Sequence, residues 1–292
     1  IYSLAVGKYS FEKLLAILAP SIMQPGQQLS GAICIGAPEW PIVAHELFHE
    51  WNRRVFILET DEEEFAVTWF LEGFTEYYAF MGLLKAEILY GYGFSQRLLE
   101  YGLQYKSWVG TEYDLPIVEA WKVAREKEDS MYYQIPYVKG CLVAALLDQT
   151  LREKSGKNLD DLMKRLYTDF HSMKISNSII EQSLDDLTGE DYRPFLNDYV
   201  YGTVELPIEK ILEDQDNDRL LTIGERFLGS DPLNADTDGD GIKDGGDQHP
   251  LDPMPETALK MLDSAEAAVM RAEQEGRVQG LDMARQKLAT AR

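Results

Sequence analysis

Positive charge is what this chain lacks most. Its 292 residues carry 28 Lys and Arg against 50 Asp and Glu, a formal charge of −22. Phosphate binding needs clustered cations, so nucleic acid is excluded as a default partner. An anionic membrane surface is disfavoured for the same reason. Long apolar runs are also missing, and nothing approaches the roughly 18 apolar residues of a membrane span. Cysteine is scarce: Cys34 and Cys141 cannot build a disulfide framework. They form one bridge or stay as buried thiols, and the apolar runs around both favour thiols. Histidine is limited to His45, His49, His171 and His249. The chain opens at Ile1 with no charged n-region and no apolar h-region, which reads as a processed or cut chain.

What is present suffices for a core. Apolar residues make up 45% and aromatics 11%, which excludes global disorder. The length predicts about two domains of roughly 150 residues each. Charge is spread unevenly: residues 205–253 hold 14 acids and 4 bases and are rich in Asp-Gly, Asp-Pro and Asn. A boundary is expected near Thr203–Leu206, giving a domain over 1–204, an acidic module over 205–253 and a C-terminal helix over 254–292.

The first part reads as mainly α. Helices are expected over 10–19, stopped by Pro20, and over 41–54, opened by Pro41. A long helix is expected over 62–86, and others over 137–153, 159–170, 177–187 and 190–200. Asn158 and Asp161 form a capping pair for the helix at 159. The β-branched, Gly-bounded run 31–36 predicts a short upstream strand. Residues 256–290 read as a tail helix weakened at Gly276 and Gly280.

The strongest local signal is His45-Glu46-Leu47-Phe48-His49. On a helix, positions i and i+4 share one face, so both imidazoles can hold one Zn²⁺. Glu46 is turned about 100° from that face, where it can take a proton from a metal-activated water. A hydrolytic zinc site needs a third protein ligand and an open position. Glu72 is the candidate, because a carboxylate among Phe70, Phe74 and their aromatic neighbours is costly to bury unless a metal pairs with it. Glu76, one turn on, either orients a ligand histidine or faces solvent.

These motifs resemble a known family. His45-Glu-x-x-His49-x-Trp51-Asn52, then Trp69-Phe70-x-Glu72-Gly73-Phe74-Thr75-x-Tyr77-Tyr78, is similar to the gluzincin metallopeptidases. More narrowly it resembles the glycyl aminopeptidase family, relatives of aminopeptidase N. Pro136-Tyr137-Val138-Lys139-Gly140 and the stretch from Asp191 to Ile208 extend the likeness over about residues 30–212. The resemblance implies a thermolysin-like helical zinc peptidase domain. It implies zinc on His45, His49 and Glu72, with Glu46 as general base and then proton donor to the leaving amine. It implies that Tyr137 hydrogen-bonds the oxyanion, and a Tyr at a helix start beside Pro136 is well fixed for that. Lys139 and Asn52 match family positions without assigned chemistry.

The chain also departs from that pattern. No Gly-x-Met-Glu-Asn segment stands upstream to hold a substrate amino group. Gly31–Gly36 occupies roughly that place and is a candidate strand for pairing with substrate backbone. Ala79 stands where relatives often carry a carboxylate contacting a zinc-binding His, which moves that role to Glu76 or leaves it empty. The resemblance would place a large β-domain upstream, which these residues do not contain, and a PDZ domain where the acidic module instead begins.

The acidic module has its own pattern. Asp236, Asp238 and Asp240, then Gly241, Ile242 and Asp247, match the oxygen positions of a Ca²⁺ loop, with Ile242 giving its carbonyl. Asp214, Asp216, Asp218, Leu220 (carbonyl) and Glu225 repeat the spacing, with Arg219 where Gly is expected. Asp231 and Asp252 are further candidates. The stretch between the loops resembles thrombospondin type 3-like repeats of secreted microbial proteins. Together these readings predict a secreted, zinc-dependent peptidase acting on peptide or protein substrate, with structural Ca²⁺. An aminopeptidase is expected; the alternatives are a zinc endopeptidase and a catalytically retired, calcium-dependent surface-binding protein.

Overall fold

A computed structural model describes residues 15–18, 26–29, 32–35, 39–58, 60–170, 172–254, 256–274 and 280–291, and these are mainly α-helical. The chain divides into two units, Ile1–Leu89 with Gln96–Glu213, and Tyr90–Ser95 with Asp214–Arg292.

The first unit begins with a small sheet. Strands β1 (Leu15–Leu18), β2 (Gly26–Leu29) and β3 (Ala32–Ile35) lie in the order β1-β3-β2. β1 runs parallel to β3 and β2 antiparallel to it. Two expectations change here. The helix expected over 10–19 is a strand at Leu15–Leu18; a short Leu-Ala-Ile-Leu run fits either period, and its pairing with Ala32–Ile35 decides. The rest of that expected helix lies outside the described residues. The strand expected at 31–36 is present as β3, but it is central, with both edges hydrogen-bonded. It therefore has no free edge for substrate backbone.

Capping residues set the helix starts. Helix α1 (Trp40–Val55) carries Pro41 in its first turn. Helix α2 (Asp61–Leu71) opens with a capping box: Thr60 accepts from the Glu63 N–H at 3.2 Å, and Glu63 accepts from the Thr60 N–H at 3.3 Å. Helix α3 is Gly73–Lys85. The single helix expected over 62–86 is thus two, joined at Glu72. The joint is slight, since the Glu72 N–H still reaches the Thr68 carbonyl at 2.8 Å and the Glu76 N–H the Glu72 carbonyl at 2.9 Å.

Helix α4 (Gly91–Trp108), a 3₁₀ turn (Ile117–Glu119) and α5 (Ala120–Lys127) lead to α6 (Ser130–Ser155). α6 starts seven residues before the expected 137. Asp129 caps it by accepting from the Met131 N–H at 2.9 Å, and the helix runs on through Pro136. Proline there forgoes one backbone bond, a cost that packing overrides. Tyr137 is therefore inside a helix, not at its start. Helix α7 (Leu159–Phe170) opens as expected, with the Asp161 N–H on Asn158 Oδ1 at 3.0 Å and the Asn158 N–H on Asp161 Oδ2 at 3.2 Å. Helices α8 (Asn177–Thr188), α9 (Arg193–Tyr199) and α10 (Ile208–Ile211) complete the unit, with β4 (Phe56–Ile57) paired in parallel to β5 (Met173–Lys174).

The core lies where α3 crosses α6. Trp69, Phe70, Phe74, Leu142 and Leu147 are fully buried, and Cys141 is a buried free thiol. The unit also extends past the expected boundary at 204. The Leu206 N–H donates to the Tyr105 hydroxyl at 2.9 Å, Gln149 donates to the Lys210 carbonyl at 3.3 Å, and Ile208 and Ile211 are buried. Negative charge rises from Glu205, but these apolar anchors hold 205–213 to the first unit.

The second unit contains the acidic loops and α11 (Thr222–Leu228), then α12 (Glu256–Gln274) and α13 (Leu281–Ala291). The expected helix over 256–290 is therefore two helices, with Gly280 left-handed at φ +85 where α13 begins. Arg285 bridges them by bonding Glu273 at 2.8 Å. Among the described residues no helix is long and apolar enough to cross a membrane.

Candidate active site and metal centres

α1 sets His45 and His49 one turn apart, their ring centroids 4.5 Å from each other. The joint between α2 and α3 places Glu72 against both. Its Oε2 lies 3.2 Å from His45 Nε2 and 3.0 Å from His49 Nε2, and all three residues are buried.

The outer ring nitrogens fix the tautomers. Asn52 Nδ2 donates to the Leu71 carbonyl at 3.1 Å and to Thr75 Oγ1 at 2.7 Å. Its Oδ1 is thus the acceptor facing His49 Nδ1 at 3.1 Å, and that nitrogen carries the proton. His45 Nδ1 lies 3.0 Å from Glu76 Oε1, and the Tyr101 hydroxyl donates to Glu76 Oε2 at 3.1 Å. Both neutral imidazoles would then aim an Nε2 lone pair at one carboxylate oxygen. Three acceptors facing each other in a buried site repel unless a cation sits among them.

The charges around the site likewise favour positive charge between these groups. Burial opposes charging of His45, but Glu76 and Glu72 beside it raise its pKa to about 10. Burial pushes the Glu72 carboxyl up, yet His49 and His45 hold it well below the usual carboxylate range. Two imidazole nitrogens and a carboxylate oxygen within 4.8 Å of one another form a donor set that suits Zn²⁺.

The site opens into a cleft of about 1010 Å³ lined by Glu46, Tyr137 and the three candidate ligands. Glu46 is 7% exposed. The Tyr137 ring lies nearly parallel to His45, centroids 5.7 Å apart. Across the cleft wall, Phe65, Trp121 and Tyr133 form an edge-to-face series of rings. Lys139 does not line the cleft: it is buried, donates to the Leu115 carbonyl at 3.3 Å, and burial lowers its pKa to about 8 against the pull of Asp114. Ala79 packs with Ala44 and Leu83, so no polar contact to a histidine arises there, and Glu76 makes that contact instead. His171 lies outside the described residues.

Two contributors were given no role from sequence. Asn52 follows His49 by three residues, a helical spacing that could have marked it. Tyr101 comes from α4, and nothing local connects it with Glu76.

In the second unit the two acidic loops fold alike. In the first, Asp216 Oδ1 accepts from the Asp218 N–H, Asp214 Oδ2 from the Arg219 N–H, and Asp218 Oδ1 from the Leu220 N–H, at 3.2, 3.1 and 2.6 Å. In the second, Asp238 Oδ1 accepts from the Asp240 N–H, Asp236 Oδ2 from the Gly241 N–H, and Asp240 Oδ1 from the Ile242 N–H, at 3.1, 2.9 and 2.8 Å. Arg219 and Gly241 are both left-handed, at φ +83 and +95.

Oxygens of Asp214, Asp216 and Asp218 gather within 4.8 Å, as do those of Asp236, Asp238 and Asp240. Asp247 stands outside its loop's cluster; burial, with Asp240 and Asp238 nearby, raises its carboxyl. Glu225 gathers with Asp218 and with Asp244, a residue the sequence reading left without a role. Among the described residues, Asp231 and Asp252 join none of these clusters. Asp216, Asp238 and Asp247 each keep one buried oxygen without a hydrogen bond, and Glu225 keeps both. Clustered hard oxygens with unmet bonding capacity fit Ca²⁺. No protein-family model matches this chain, and a search of curated proteins returns no significant match.

Proposed function

We propose that the protein is a zinc-dependent peptidase, an aminopeptidase by its resemblance to the glycyl aminopeptidase family. The observation that carries this reading is the convergence of His45 Nε2 and His49 Nε2 on one Glu72 oxygen, with Asn52 Oδ1 3.1 Å from His49 Nδ1 and Glu76 Oε1 3.0 Å from His45 Nδ1. Zinc bound by these three residues would lower the pKa of a water to about 7 and polarise the substrate carbonyl. Glu46, at the cleft face of α1, takes the proton of the attacking water and passes it to the leaving amine. The Tyr137 hydroxyl donates a hydrogen bond to the oxyanion that forms on the attacked carbonyl. Asn52 and Glu76 keep the ligand imidazoles in the right tautomer.

Calcium on the two acidic loops acts as a brace. Loops of this kind in extracellular modules bind at about 10⁻⁴–10⁻³ M, which supports secretion to a calcium-rich exterior.

The deciding experiment is hydrolysis of N-blocked and free-amine peptide libraries by wild type and Glu46→Gln, with Zn²⁺ and Ca²⁺ present. Cleavage of free-amine peptides alone, lowered about 10²–10⁴-fold in the variant, supports the aminopeptidase. Equal cleavage of blocked peptides makes it an endopeptidase. A zinc-loaded protein with no Glu46-dependent cleavage makes it a calcium-dependent binding protein on a retired scaffold.

A further inference from the structure

We propose that the first calcium loop does not complete its own cation site: Asp244, from the second loop, is a ligand of it. This rests on the calcium reading above. The starting observation is Glu225, which is fully buried and has both carboxylate oxygens without a hydrogen-bond partner. A buried carboxylate with no partner is costly, so such a group is paired, protonated or metal-bound. Its close neighbours are acids. Oxygens of Glu225, Asp218 and Asp244 lie within 4.8 Å of one another, and all three residues are buried. The loops' own cations are engaged elsewhere: Arg219 sits over the Tyr92 ring at 6.0 Å, and Lys243 donates to the Asn217 carbonyl at 3.5 Å. Three buried carboxylates facing each other, one with both oxygens unmet, call for a cation between them.

Asp244 is held in place for this. Its Oδ1 accepts from the Thr237 N–H at 2.8 Å, its Oδ2 from the Thr237 hydroxyl at 2.6 Å, and its own N–H reaches the Ala235 carbonyl at 3.0 Å. The next residue presses on the first loop. The Gly245 N–H donates to Asp218 Oδ2 at 2.8 Å, and a Cβ on Gly245 would lie 2.4 Å from the Asp218 carbonyl oxygen. Only glycine permits that approach, and the approach delivers Asp244 to Glu225. Asp218 belongs to both clusters and links them, so the proposed site for a single divalent cation draws on Asp214, Asp216, Asp218, Glu225 and Asp244. The first loop then binds only when the second has folded beside it, and the two calcium equilibria are coupled.

The test uses the full chain, stripped with chelator. Calcium uptake is measured by titration calorimetry, and hydrogen exchange is followed over 214–225 and 236–247. Wild type should take two ions and gain protection in both segments. Asp244→Asn should weaken one site by about tenfold or more and lose the protection of 214–225, since ligand charge tunes such sites steeply. Glu225→Gln should weaken the same site, and the double variant should weaken that one site further while leaving the other ion bound. Asp244→Asn that retains two ions with 214–225 protected, or that loses protection only over 236–247, would overturn the proposal. No calcium uptake by wild type would sink the calcium reading itself, and this proposal with it.

Discussion

Gly73 and Gly140 meet backbone to backbone. A Cβ on Gly73 would lie 2.4 Å from the Gly140 Cα and carbonyl carbon; one on Gly140 would lie 2.7 Å from the Trp69 carbonyl oxygen and 2.8 Å from the Gly73 Cα. This crossing of α3 and α6 has a functional consequence. Glu72 immediately precedes one glycine, and Tyr137 lies one turn before the other. The two glycines set how near the proposed zinc ligand comes to the proposed oxyanion donor.

Gly140→Ala is therefore expected to force the helices apart. Overpacking typically costs about 1–3 kcal/mol, and a backbone neighbour cannot yield as a side chain would. For a unit of this size that lowers the Tm by about 2–4 °C per kcal/mol. Peptidase activity should fall by more than the folded fraction does, measured against thermal melts of the same samples. An unchanged Tm would mean the helices do not meet as described.

Asn52→Ala removes the acceptor of the His49 Nδ1 proton and two donations, to Leu71 and Thr75. Zinc affinity should drop about 10–100-fold in competition with a chromophoric chelator, as for other outer partners of ligand histidines. Tyr101→Phe removes one hydrogen bond to Glu76 and should have a smaller effect in the same direction. Equal zinc affinity in Asn52→Ala and wild type would deny Asn52 this positioning role.

The second unit should respond to pH with opposite sign in chelator and in calcium. Burial, then the charges of Asp216, Asp218, Asp244 and Asp214, raise Glu225 to about 8 from an ordinary 4.5. Asp216, Asp218, Asp238 and Asp247 are also raised, mainly by burial. Between those limits the folded state binds the extra proton, so metal-free stability is greatest at low pH and is lost as pH rises toward 8. With excess Ca²⁺ the ionised form is bound, and affinity should rise over the same window. Hydrogen exchange over 214–247 at pH 5, 6.5 and 8, corrected for intrinsic rates, reads both signs.

Arg219→Gly tests the left-handed position at φ +83, where the second loop has Gly241. Relief of about 1–2 kcal/mol of strain is offset by about 0.5–1 kcal/mol of added unfolded-state entropy and a weak cation–π contact with Tyr92. Metal-free stability should barely move. Calcium affinity should rise about fourfold at low salt, because a positive charge about 10 Å from a divalent ion costs about 0.8 kcal/mol in water. The gain should shrink at high salt. A lower calcium affinity in calorimetry would show that the Arg219 side chain supports the loop instead.

Much of the fold was legible where local chemistry is strong. Pro41, the Asn158 and Asp161 pair and the β-branched 31–36 run marked elements that the structure contains, the last as Ala32–Ile35. Legibility failed where distant packing overrules local preference. Leu15–Leu18 pairs as a strand, α6 runs through Pro136, and 205–213 stays with the first unit through Leu206, Ile208 and Ile211.

The sequence by itself determined which residues can meet within one turn or one loop. His45 and His49 share a helix face, and alternating Asp residues crowd a tight turn, because helical and turn geometry are set by neighbours along the chain. Only the tertiary structure decided what those groups meet across the chain. Glu72 reaches both imidazoles from a second helix joint, Asn52 and Tyr101 fix the tautomers through Thr75, Leu71 and Glu76, and Asp244 reaches Glu225 past Gly245. Such contacts depend on how closely two backbones can pack, at Gly73 against Gly140 and at Gly245 against Asp218. No local spacing encodes that distance.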